Sequence, residues 1–372
     1  MKADVIIIGG GLHGCSAAFQ LARSGVDCVV LEGGTVGRHA SGASAGGVRR
    51  LDRHPAEIPL SVVSMEMWWD IEDLVDDDCG FAEVGQLRVG ETAADMTRLE
   101  ARVKLTRSLG YDYEELIDRD EVRRLAPAIC PSVVGGIVSR RDGYANPYRT
   151  TMAFSLKAQS LGARIIESTR VTSVRRCGQA WNISTTNGTF ASPVIVNCAG
   201  AWGDHIAVAL GERQVPLVIG PSMMTVTFPM PHFNNSVVGH ASRNLSFKQV
   251  QNGTVLIGGG HWARLNADGE STDLDFDKLA ISAQTVVDIF PIMREARINR
   301  CWAGLEGRLP DDIPVIGTSN RLPGVFHAFS FCGHGFQLGP VVGRILADLV
   351  VDGRTDFPIE PFNIDRFAET PG

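Results

Sequence analysis

The chain begins with a short apolar run, a glycine-rich turn, a helical pattern and a second apolar run. The first run spans Asp4 to Ile8, the helical pattern spans Ser16 to Ser24 and ends at Gly25, and the second run, Cys28 to Leu31, stops at Glu32. Short apolar runs beside glycine are typical of buried strands, and apolar positions three or four residues apart are typical of a packed helix. This pattern predicts a βαβ unit.

Beyond this unit the pattern mixes short strands with helices and shows no internal repeat, low-complexity tract or flexible linker. Strands are predicted over residues 81–89, 135–140 and 163–167, over a meander of 171–174, 180–185 and 189–197, and over several segments between 215 and 257. Helices are predicted over residues 93–109, 149–161, 201–210, 275–289 and 339–351. We expect an α/β (α+β) protein with interleaved domains.

Length, charge and cysteine spacing exclude several classes of protein. The 372 residues suffice for two domains, and the net charge of −7 argues against a nucleic-acid or anionic-membrane partner. The eight cysteines are scattered without zinc spacing, so neither a disulfide framework nor a metal site is expected. No apolar stretch approaches the ~20 residues that span a bilayer, and the N-terminus lacks the pattern of a signal peptide. We expect a cytoplasmic protein without a transmembrane segment.

The turn of the βαβ unit carries the first candidate chemistry. Gly9, Gly11 and Gly14 have the Gly-x-Gly-x-x-Gly spacing between a predicted strand and a predicted helix. There the first glycine allows a tight turn, the second lets the backbone approach a pyrophosphate, and the third lets the helix pack close to the sheet. Glu32 is placed to accept hydrogen bonds from a ribose 2′-hydroxyl, which argues against NADP. A glycine-rich turn without function is the alternative, and it fits the complete unit less well.

Three further glycine-rich segments follow predicted strands, at residues 41–47, 197–203 and 331–336. Small residues after strands let backbone N–H groups approach a ligand closely. A nicotinamide cofactor needs one such segment, whereas an extended FAD can use several. The four segments together favour FAD over NAD.

Four motifs, in this order, resemble one known family. They are the N-terminal βαβ unit, VNCAGAWG at 196–203, RCWAGLEGRLPDDIPVIG at 300–317 and FCGHGFQLGPVVGRILADLV at 331–350. Over nearly its whole length the chain resembles the D-amino-acid oxidase (DAO) superfamily of flavoproteins, in the branch of glycine oxidase and sarcosine oxidase. GGVRRLDRHPAEIPL at 46–60 and GYANPYR at 143–149 make it most similar to opine oxidase β-subunits and D-hydroxyproline dehydrogenases.

The resemblance implies a Rossmann-like FAD-binding domain and a second, antiparallel-sheet substrate domain. The first would be discontinuous, with residues 1–80, 146–214 and 301–372, and the second would comprise residues 81–145 and 215–300. The residues that the resemblance implies at FAD are Gly9, Gly11, Leu12, His13, Gly14, Glu32, Gly33, Ser41, Ser44, Ala45, Gly46, Gly47, Val171, Ala199, Gly200, Trp202, Gly333, His334, Gly335, Phe336 and Gln337. A helix beginning near Gly339 would direct its positive end at the flavin pyrimidine.

The resemblance also implies contacts with a substrate carboxylate. Arg49 occupies the position of the arginine that grips this carboxylate in the family, and a solvated arginine is the alternative. Gln337 stands where sarcosine oxidases have a lysine, so a neutral group would replace a charged contact. His261 and His334 are either polar contacts of the active site or caps of strands.

Glu306 is a further departure from the family. It stands where glycine oxidase has an arginine, and Arg308 follows two residues on. Its carboxylate would either meet a second positive group of the substrate, such as the guanidinium of an opine, or pair with Arg308. The sequence leaves both open.

The function that the resemblance implies is FAD-dependent oxidation of the C–N bond of a carboxylate-bearing secondary amine, such as D-hydroxyproline or D-proline, by hydride transfer to flavin N5. The alternatives are an opine or sarcosine oxidase β-subunit with α or γ partners, and a non-catalytic FAD-binding scaffold. Ile257 replaces a lysine that precedes the Gly-x-His segment of sarcosine oxidases, so we expect an electron acceptor other than O2. Cys301 lies near a position of covalent flavin attachment, although an inert thiol is favoured.

Overall fold

The structure is a computed structural model that describes residues 1–368 of the chain. The helices are, in chain order, Leu12–Arg23 (α1), Ala40–Ala43 (α2), Ile58–Trp69 (α3), Ile71–Val75 (α4), Ala93–Ser108 (α5), Arg119–Leu125 (α6), Pro147–Ser160 (α7), Gly203–Leu210 (α8), Phe276–Ile289 (α9) and Gly335–Val351 (α10). Short 3-10 turns add Pro55–Glu57, Gly200–Trp202, Pro291–Glu295, Glu360–Phe362 and Ile364–Phe367.

The strands are, in chain order, Val5–Ile8 (β1), Cys28–Leu31 (β2), Gly47–Val48 (β3), Ala82–Glu83 (β4), Gln86–Gly90 (β5), Glu115–Asp118 (β6), Gly135–Ser139 (β7), Gly143–Tyr144 (β8), Arg164–Ile166 (β9), Val171–Cys177 (β10), Ala180–Thr185 (β11), Gly188–Ser192 (β12), Val194–Asn197 (β13), Val218–Thr227 (β14), Val237–His240 (β15), Ser246–Gln249 (β16), Val255–Gly258 (β17), Arg264–Leu265 (β18), Thr272–Asp273 (β19), Ile298–Arg308 (β20), Val315–Thr318 (β21) and Val325–Phe329 (β22). The mixed α/β fold class agrees with the expectation.

The predicted βαβ unit forms the centre of a six-stranded sheet with the order β21-β22-β13-β1-β2-β9. Neighbouring strands are parallel except for the edge pair β21 and β22. Every residue of β1 and β2 is buried, which explains why their sequences are continuously apolar rather than alternating. Helices α1, α7 and α10 cover one face through Phe19, Phe154 and Leu338.

The predicted meander contains β10, β11 and β12, which pair antiparallel, and it lies on the other face of the six-stranded sheet. The segment predicted as one strand from 189 to 197 divides at Pro193, between β12 and β13. Proline has no N–H for the ladder, so the chain leaves the meander there and enters the parallel sheet as β13. Trp181 and Ile183 of the meander pack against Ile6 and Val29 of the larger sheet.

A second, eight-stranded sheet has the order β20-β14-β17-β16-β15-β5-β7-β6 and is antiparallel except where β5 meets β15. One face packs with α9 into a separate core that includes Leu87, Phe247, Ile257 and Phe290. The opposite face lines a large cavity. The strands of the two sheets alternate along the chain, as expected for interleaved domains.

The predicted domain boundary at residue 301 falls inside a strand. Residues of β20 from Ile298 to Arg308 pair with β14, so this stretch belongs to the eight-stranded sheet as far as Arg308. A small sheet of β3, β8 and β4 connects Gly47–Val48 to the chain segments of that sheet. Within residues 1–368, no helix is both long and apolar enough to cross a bilayer.

The last long helix begins four residues earlier than predicted, at Gly335 instead of Gly339. Gly339 is an interior residue of this helix at a point of close packing. A Cβ atom at Gly339 would lie 2.5 Å from Cδ2 of Leu12, and one at Gly343 would lie 2.1 Å from Oγ of Ser16. The two glycines therefore let α10 approach α1, and the glycine-histidine segment forms the first turn of α10.

Candidate active site

A cavity of about 920 Å³ lies between the glycine-rich segments and the eight-stranded sheet. The sequence-predicted FAD contacts that line it are Gly9, Gly11, Leu12, His13, Glu32, Gly33, Ser41, Ser44, Ala45, Gly46, Gly47, Val171, Ala199, Gly200, Trp202, Gly333, His334, Gly335 and Phe336. Two predicted contacts, Gly14 and Gln337, do not line it. Four segments that are remote in sequence thus meet at one cavity.

The first turn of the βαβ unit is packed so tightly that only glycine fits. Gly9 has a φ of +108°, and a Cβ atom there would lie 2.4 Å from the carbonyl oxygen of Cys198. A Cβ atom at Gly14 would lie 2.0 Å from the carbonyl oxygen of Gly9. Gly14 therefore acts by seating α1 against the turn rather than by touching a ligand.

Glu32 presents a fixed carboxylate to the cavity. Its Oε2 accepts a hydrogen bond from Gly10 N at 2.7 Å, and its Oε1 accepts one from Gly34 N at 2.7 Å. The hydroxyl of Ser41 accepts a hydrogen bond from Leu12 N at 2.9 Å. Carboxylate oxygens can accept further hydrogen bonds, so Glu32 remains able to bind ribose hydroxyls.

The segment from Ala43 to Gly47 is held between two strands. Gly46 has a φ of +65°, and its carbonyl oxygen accepts a hydrogen bond from Ala145 N at 2.9 Å. From the opposite side, Trp302 Nε1 donates to the Ala43 carbonyl at 2.9 Å. The backbone of this cavity wall is therefore preorganised.

Val171, one of the predicted FAD contacts, follows Arg170, which forms an ion pair at the rim of the cavity. Arg170 binds both carboxylate oxygens of Glu270, with Nη2 at 3.0 Å from Oε2. Glu270 belongs to the turn between β18 and β19 and, like Arg170, lines the cavity. The pair is named the rim pair below.

Arg49 and Arg50 have different environments. Arg50 is 8% exposed, and its Nε lies 3.1 Å from Oδ1 of Asp142. Arg49 lines the cavity and donates to the carbonyl oxygens of Leu51 and Asp52. No carboxylate pairs with Arg49 in the described part of the chain. Although burial lowers its pKa, a guanidinium stays charged at neutral pH, so Arg49 presents a positive charge to the cavity.

Arg53 and Arg88 also line the cavity and were not singled out from the sequence. Arg53 is 1% exposed, and it donates from Nε to Arg49 O at 3.0 Å and from Nη1 to His334 O at 2.7 Å. Arg88 pairs with Asp52, which neutralises it. Arg53 therefore fixes the backbone of two predicted site residues. Its spacing of four residues from Glu57, with which it pairs at 3.9 Å, was the available signal.

His334 lines the cavity, as predicted, and caps the start of α10. Its Nδ1 lies 3.1 Å from Oε2 of Glu57, a carboxylate that is fully buried. Burial lowers the pKa of His334, and Glu57 partly opposes that effect. For Glu57, burial opposes ionisation, but His334 and the nearby arginines outweigh it and lower the pKa.

Gln337, predicted to contact the ligand, and His261, for which a polar contact of the active site was one of two possibilities, do not line the cavity. The Gln337 side chain is fully buried between α3 and α10, where its Oε1 accepts from Ser61 at 3.1 Å and its Nε2 donates to Ser61 O at 2.8 Å. These bonds use the side chain internally, because Gln337 lies one turn deeper in the helix than expected. His261 is likewise absent from the cavity lining, as is Cys301, which contacts Thr225 at 3.3 Å.

Glu306 lines the cavity and also pairs with Arg308. Nη2 of Arg308 lies 3.1 Å from Oε1 of Glu306, and the Ser222 hydroxyl donates to the same oxygen. Of the two possibilities left open by the sequence, the pair with Arg308 is present; because the paired carboxylate also lines the cavity, contact with a positive group of the substrate stays a prediction.

Lys248 is a cavity residue that sequence reasoning missed. Its Nζ donates to the Ala45 carbonyl at 2.6 Å and lies 4.2 Å from the centre of the Tyr144 ring. Burial lowers its pKa to about 7. Ile257 faces the core behind the sheet, whereas Lys248, opposite Leu256 in the neighbouring strand, lines the cavity. The cavity therefore contains a lysine, but it comes from β16 and not from position 257 on β17.

Comparisons with known proteins agree with this geometry. Residues 4–349 match the family model "DAO: FAD dependent oxidoreductase". The chain belongs to the DAO family of FAD-dependent oxidoreductases. It is 24% identical to glycine oxidase of Geobacillus kaustophilus, covering 98% of this chain and 97% of that protein, and 26% identical to an opine oxidase subunit of Rhizobium meliloti, covering 98% of each. The crystal structure of L-proline dehydrogenase from P. horikoshii has the same fold, with a TM-score of 0.90, 24% identity and 98% of each chain covered.

The cavity of this DAO-family protein fits FAD. Gly9 and Gly11 carry no side chain, so their backbone is open to the cavity. The turn has no room for a side chain at Gly11, because a Cβ atom there would lie 2.9 Å from Ser41 Oγ. Glu32 offers acceptor oxygens at one part of the lining, and the first turn of α10 offers backbone N–H groups and a positive helix end at another. When bound, FAD supplies the two-electron acceptor, and the protein supplies orientation and electrostatics.

Proposed function

We propose that this protein oxidises the C–N bond of a carboxylate-bearing secondary amine, with an imino acid such as D-hydroxyproline or D-proline as the substrate. Arg49 binds the carboxylate and thereby orients the carbon that loses hydride. The segments around Ser44–Gly47 and Gly333–Phe336 hold the flavin beside it.

The observation that supports this proposal is the set of partners of Arg49. A partly buried guanidinium that lines the cavity and has only carbonyl partners in residues 1–368 is costly unless an anion balances its charge. Arg50 differs, because its charge is balanced by an ion pair with Asp142, as expected for an arginine with a structural role. A charge-assisted bond to a substrate carboxylate contributes about 1.5 to 3 kcal/mol.

An opine, in which the amine carries a second charged arm, is the second candidate. It is supported by Glu306, whose carboxylate faces the cavity. The opine oxidase relative is itself one subunit of an enzyme, so partner subunits are part of this candidate. The expectation of an acceptor other than O2 was based on the lysine missing at position 257. Because Lys248 places a lysine in the cavity, the test also asks whether O2 is the electron acceptor.

The test is an anaerobic titration of the purified FAD-loaded protein with D- and L-proline, the 4-hydroxyprolines, sarcosine, glycine and octopine, followed by the absorbance of oxidised flavin. We expect one of the cyclic imino acids to bleach the flavin fastest. Admission of air to the reduced protein then shows whether O2 reoxidises it.

The Glu306→Gln variant separates the two candidates. If octopine is the substrate, removal of this charge slows reduction by octopine about tenfold or more and leaves reduction by proline unchanged. A flavin that none of these amines bleaches contradicts the proposal and favours the non-catalytic scaffold.

A further inference from the structure

Glu57 is a buried carboxylate with an unusual set of neighbours. It ends the turn Pro55–Glu57 that leads into α3, and its side chain is 0% exposed. Its Oε2 lies 3.1 Å from His334 Nδ1 and 3.9 Å from Arg53 Nη1, and no N–H or O–H group among residues 1–368 donates to either carboxylate oxygen with full hydrogen-bond geometry. Burying a carboxylate is costly, so His334 is the group that accounts for Glu57 at this position.

The position of Glu57 fixes which nitrogen of His334 carries the proton. A carboxylate at hydrogen-bond distance from Nδ1 is stabilised only when Nδ1 is protonated. In neutral imidazole Nε2 then has a free lone pair. The side chain of His334 is 21% exposed and lines the cavity, whereas Nδ1 is buried against Glu57. Nε2 is therefore the nitrogen available to a ligand.

Burial, assisted by two arginines, favours neutral His334 before a substrate arrives. Arg49 and Arg53 approach it from one side, and Glu306 and Arg308 of β20 lie beside the preceding Gly333. His13 of α1 approaches Gly335, and burial lowers its pKa to about 3. Glu57 is the carboxylate that contacts the ring itself. Burial and the two arginines lower the pKa of His334 despite Glu57.

We propose that His334 is the base that removes a proton from the substrate ammonium and that Glu57 is the positioning residue that holds His334 in the required tautomer. An amine must have a free electron pair on nitrogen before its α-carbon can lose hydride. One N–H bond of the ammonium breaks, a bond to Nε2 forms, and the electron pair stays on the substrate nitrogen. The imidazolium then gains the Glu57 carboxylate as its counter-ion. This inference rests on the proposed function.

The tautomer is tested without any substrate, by 15N NMR of the FAD-loaded protein labelled at histidine. The His334→Gln variant identifies the His334 signals. We expect the Nδ1-protonated form in the unmodified protein and a shift of the signals towards the other tautomer in Glu57→Leu. An unmodified protein that carries the proton on Nε2 overturns the role of Glu57.

The base is tested by anaerobic stopped-flow reduction of the flavin by D-proline, L-proline and sarcosine between pH 4.5 and 10. The reduction rate is expected to rise with pH over the acidic part of this range, where His334 loses its proton, because burial holds the pKa of His334 below its ordinary value. His334→Gln is expected to lower the rate about 100-fold at pH 7 and much less at pH 10. At pH 10 more of the unbound substrate has already lost its ammonium proton, so less depends on a base in the protein. In Glu57→Gln the imidazolium loses its counter-ion, so the rising limb is expected to move about one unit to lower pH.

Glu212→Gln is the matched control, because Glu212 is buried beside His327 at 3.6 Å and neither residue lines the cavity. Its rising limb is expected to stay in place. A uniform loss of rate at every pH in His334→Gln overturns the proposal, because a merely structural role does not depend on pH. If Glu57→Leu fails to bind FAD, the shift in Glu57→Gln decides. If no amine reduces the flavin, the proposed function fails, the base role fails with it, and the NMR result separately decides the tautomer.

Discussion

The two ends of the cavity are built in opposite ways. At the dinucleotide end, Gly9, Gly11 and Gly14 act through the space they leave, and the binding groups are backbone amides and one carboxylate, Glu32. At the proposed substrate end, ionisable side chains from different elements, among them Arg49, Glu306, His334 and Lys248, line the cavity. The first end depends on backbone geometry, and the second depends on the placement and ionisation of side chains. Mutations should therefore impair cofactor retention at one end and turnover at the other.

The largest effect is expected at the dinucleotide end, from Gly9→Ala. The added Cβ would lie 2.4 Å from Cys198 O, so the turn must shift and FAD is lost. Gly25→Ala is the control, since Gly25 also has a positive φ, +78°, but a Cβ there meets nothing within 4 Å. Its expected cost is only about 1 kcal/mol of backbone strain. Flavin absorbance after gel filtration measures both, and stoichiometric FAD in Gly9→Ala would contradict the backbone account.

At the substrate end, Arg49→Lys is expected to lower kcat/KM for flavin reduction by about 10- to 100-fold while FAD remains bound, because lysine cannot reproduce the bidentate fork. Arg141→Lys, on the exposed ion pair with Glu83, is the control. Equal kcat/KM values in the two variants would show that Arg49 does not bind the substrate. Loss of FAD from Arg49→Lys would show that side chains of the substrate end also hold the cofactor.

The Lys248→Met variant tests whether the pKa of Lys248, at the substrate end, is lowered, through the pH dependence of the free energy of unfolding. Burial lowers the pKa of Lys248 from its ordinary value of 10.5 to about 7, so the folded protein binds fewer protons than the unfolded chain between pH 7 and 10. The free energy of unfolding therefore rises with pH across this window because of Lys248, by up to about 1.4 kcal/mol per unit. Urea unfolding of the apoprotein at pH 6 and 9 should show a smaller rise in Lys248→Met than in the exposed control Lys104→Met. Equal rises would show that Lys248 is not desolvated.

The smallest effect is expected from the rim pair. Arg170 is 53% and Glu270 37% exposed, so their interaction is screened by water. Arg170→Ala is expected to speed FAD dissociation about threefold, measured by flavin fluorescence on dilution. Arg175→Ala, an exposed arginine on the neighbouring strand β10, should leave the rate unchanged. A large effect of Arg170→Ala would mean that side chains also govern the dinucleotide end.

The same contrast explains what the sequence could predict. The βαβ unit, the four glycine-rich segments and the position of Arg49 lie in contiguous motifs whose local pattern carries their geometry. Gln337 was predicted at the ligand, and His261 as either a polar contact of the active site or a cap of strands, from their places next to a motif, and the structure places neither in the cavity lining. For Gln337 the reason is helical phase, because α10 begins at Gly335 and turns the side chain towards Ser61.

Lys248, Arg53 and Glu57 could not be found from local pattern. Lys248 reaches Ala45, more than two hundred positions away, and Glu57 reaches His334 across nearly three hundred. Such contacts depend on strand order and helix docking, which a single sequence does not state. The Arg53 and Glu57 spacing suggested an ordinary helical ion pair and gave no sign of the histidine.

The strand order has a consequence for how the chain acquires its structure. β1 is made first, yet it lies between β2 and β13, whose Val194 pairs with Val5, and β13 in turn waits for Val325 of β22. During synthesis the βαβ unit therefore keeps an apolar strand edge unpaired until more than half of the chain has emerged. Closing such long loops is slow and exposes the edge to other chains. Fragments that end before β13 retain the nucleotide motif without the partner strand that completes its sheet, so motif and foldable unit are different stretches of this chain.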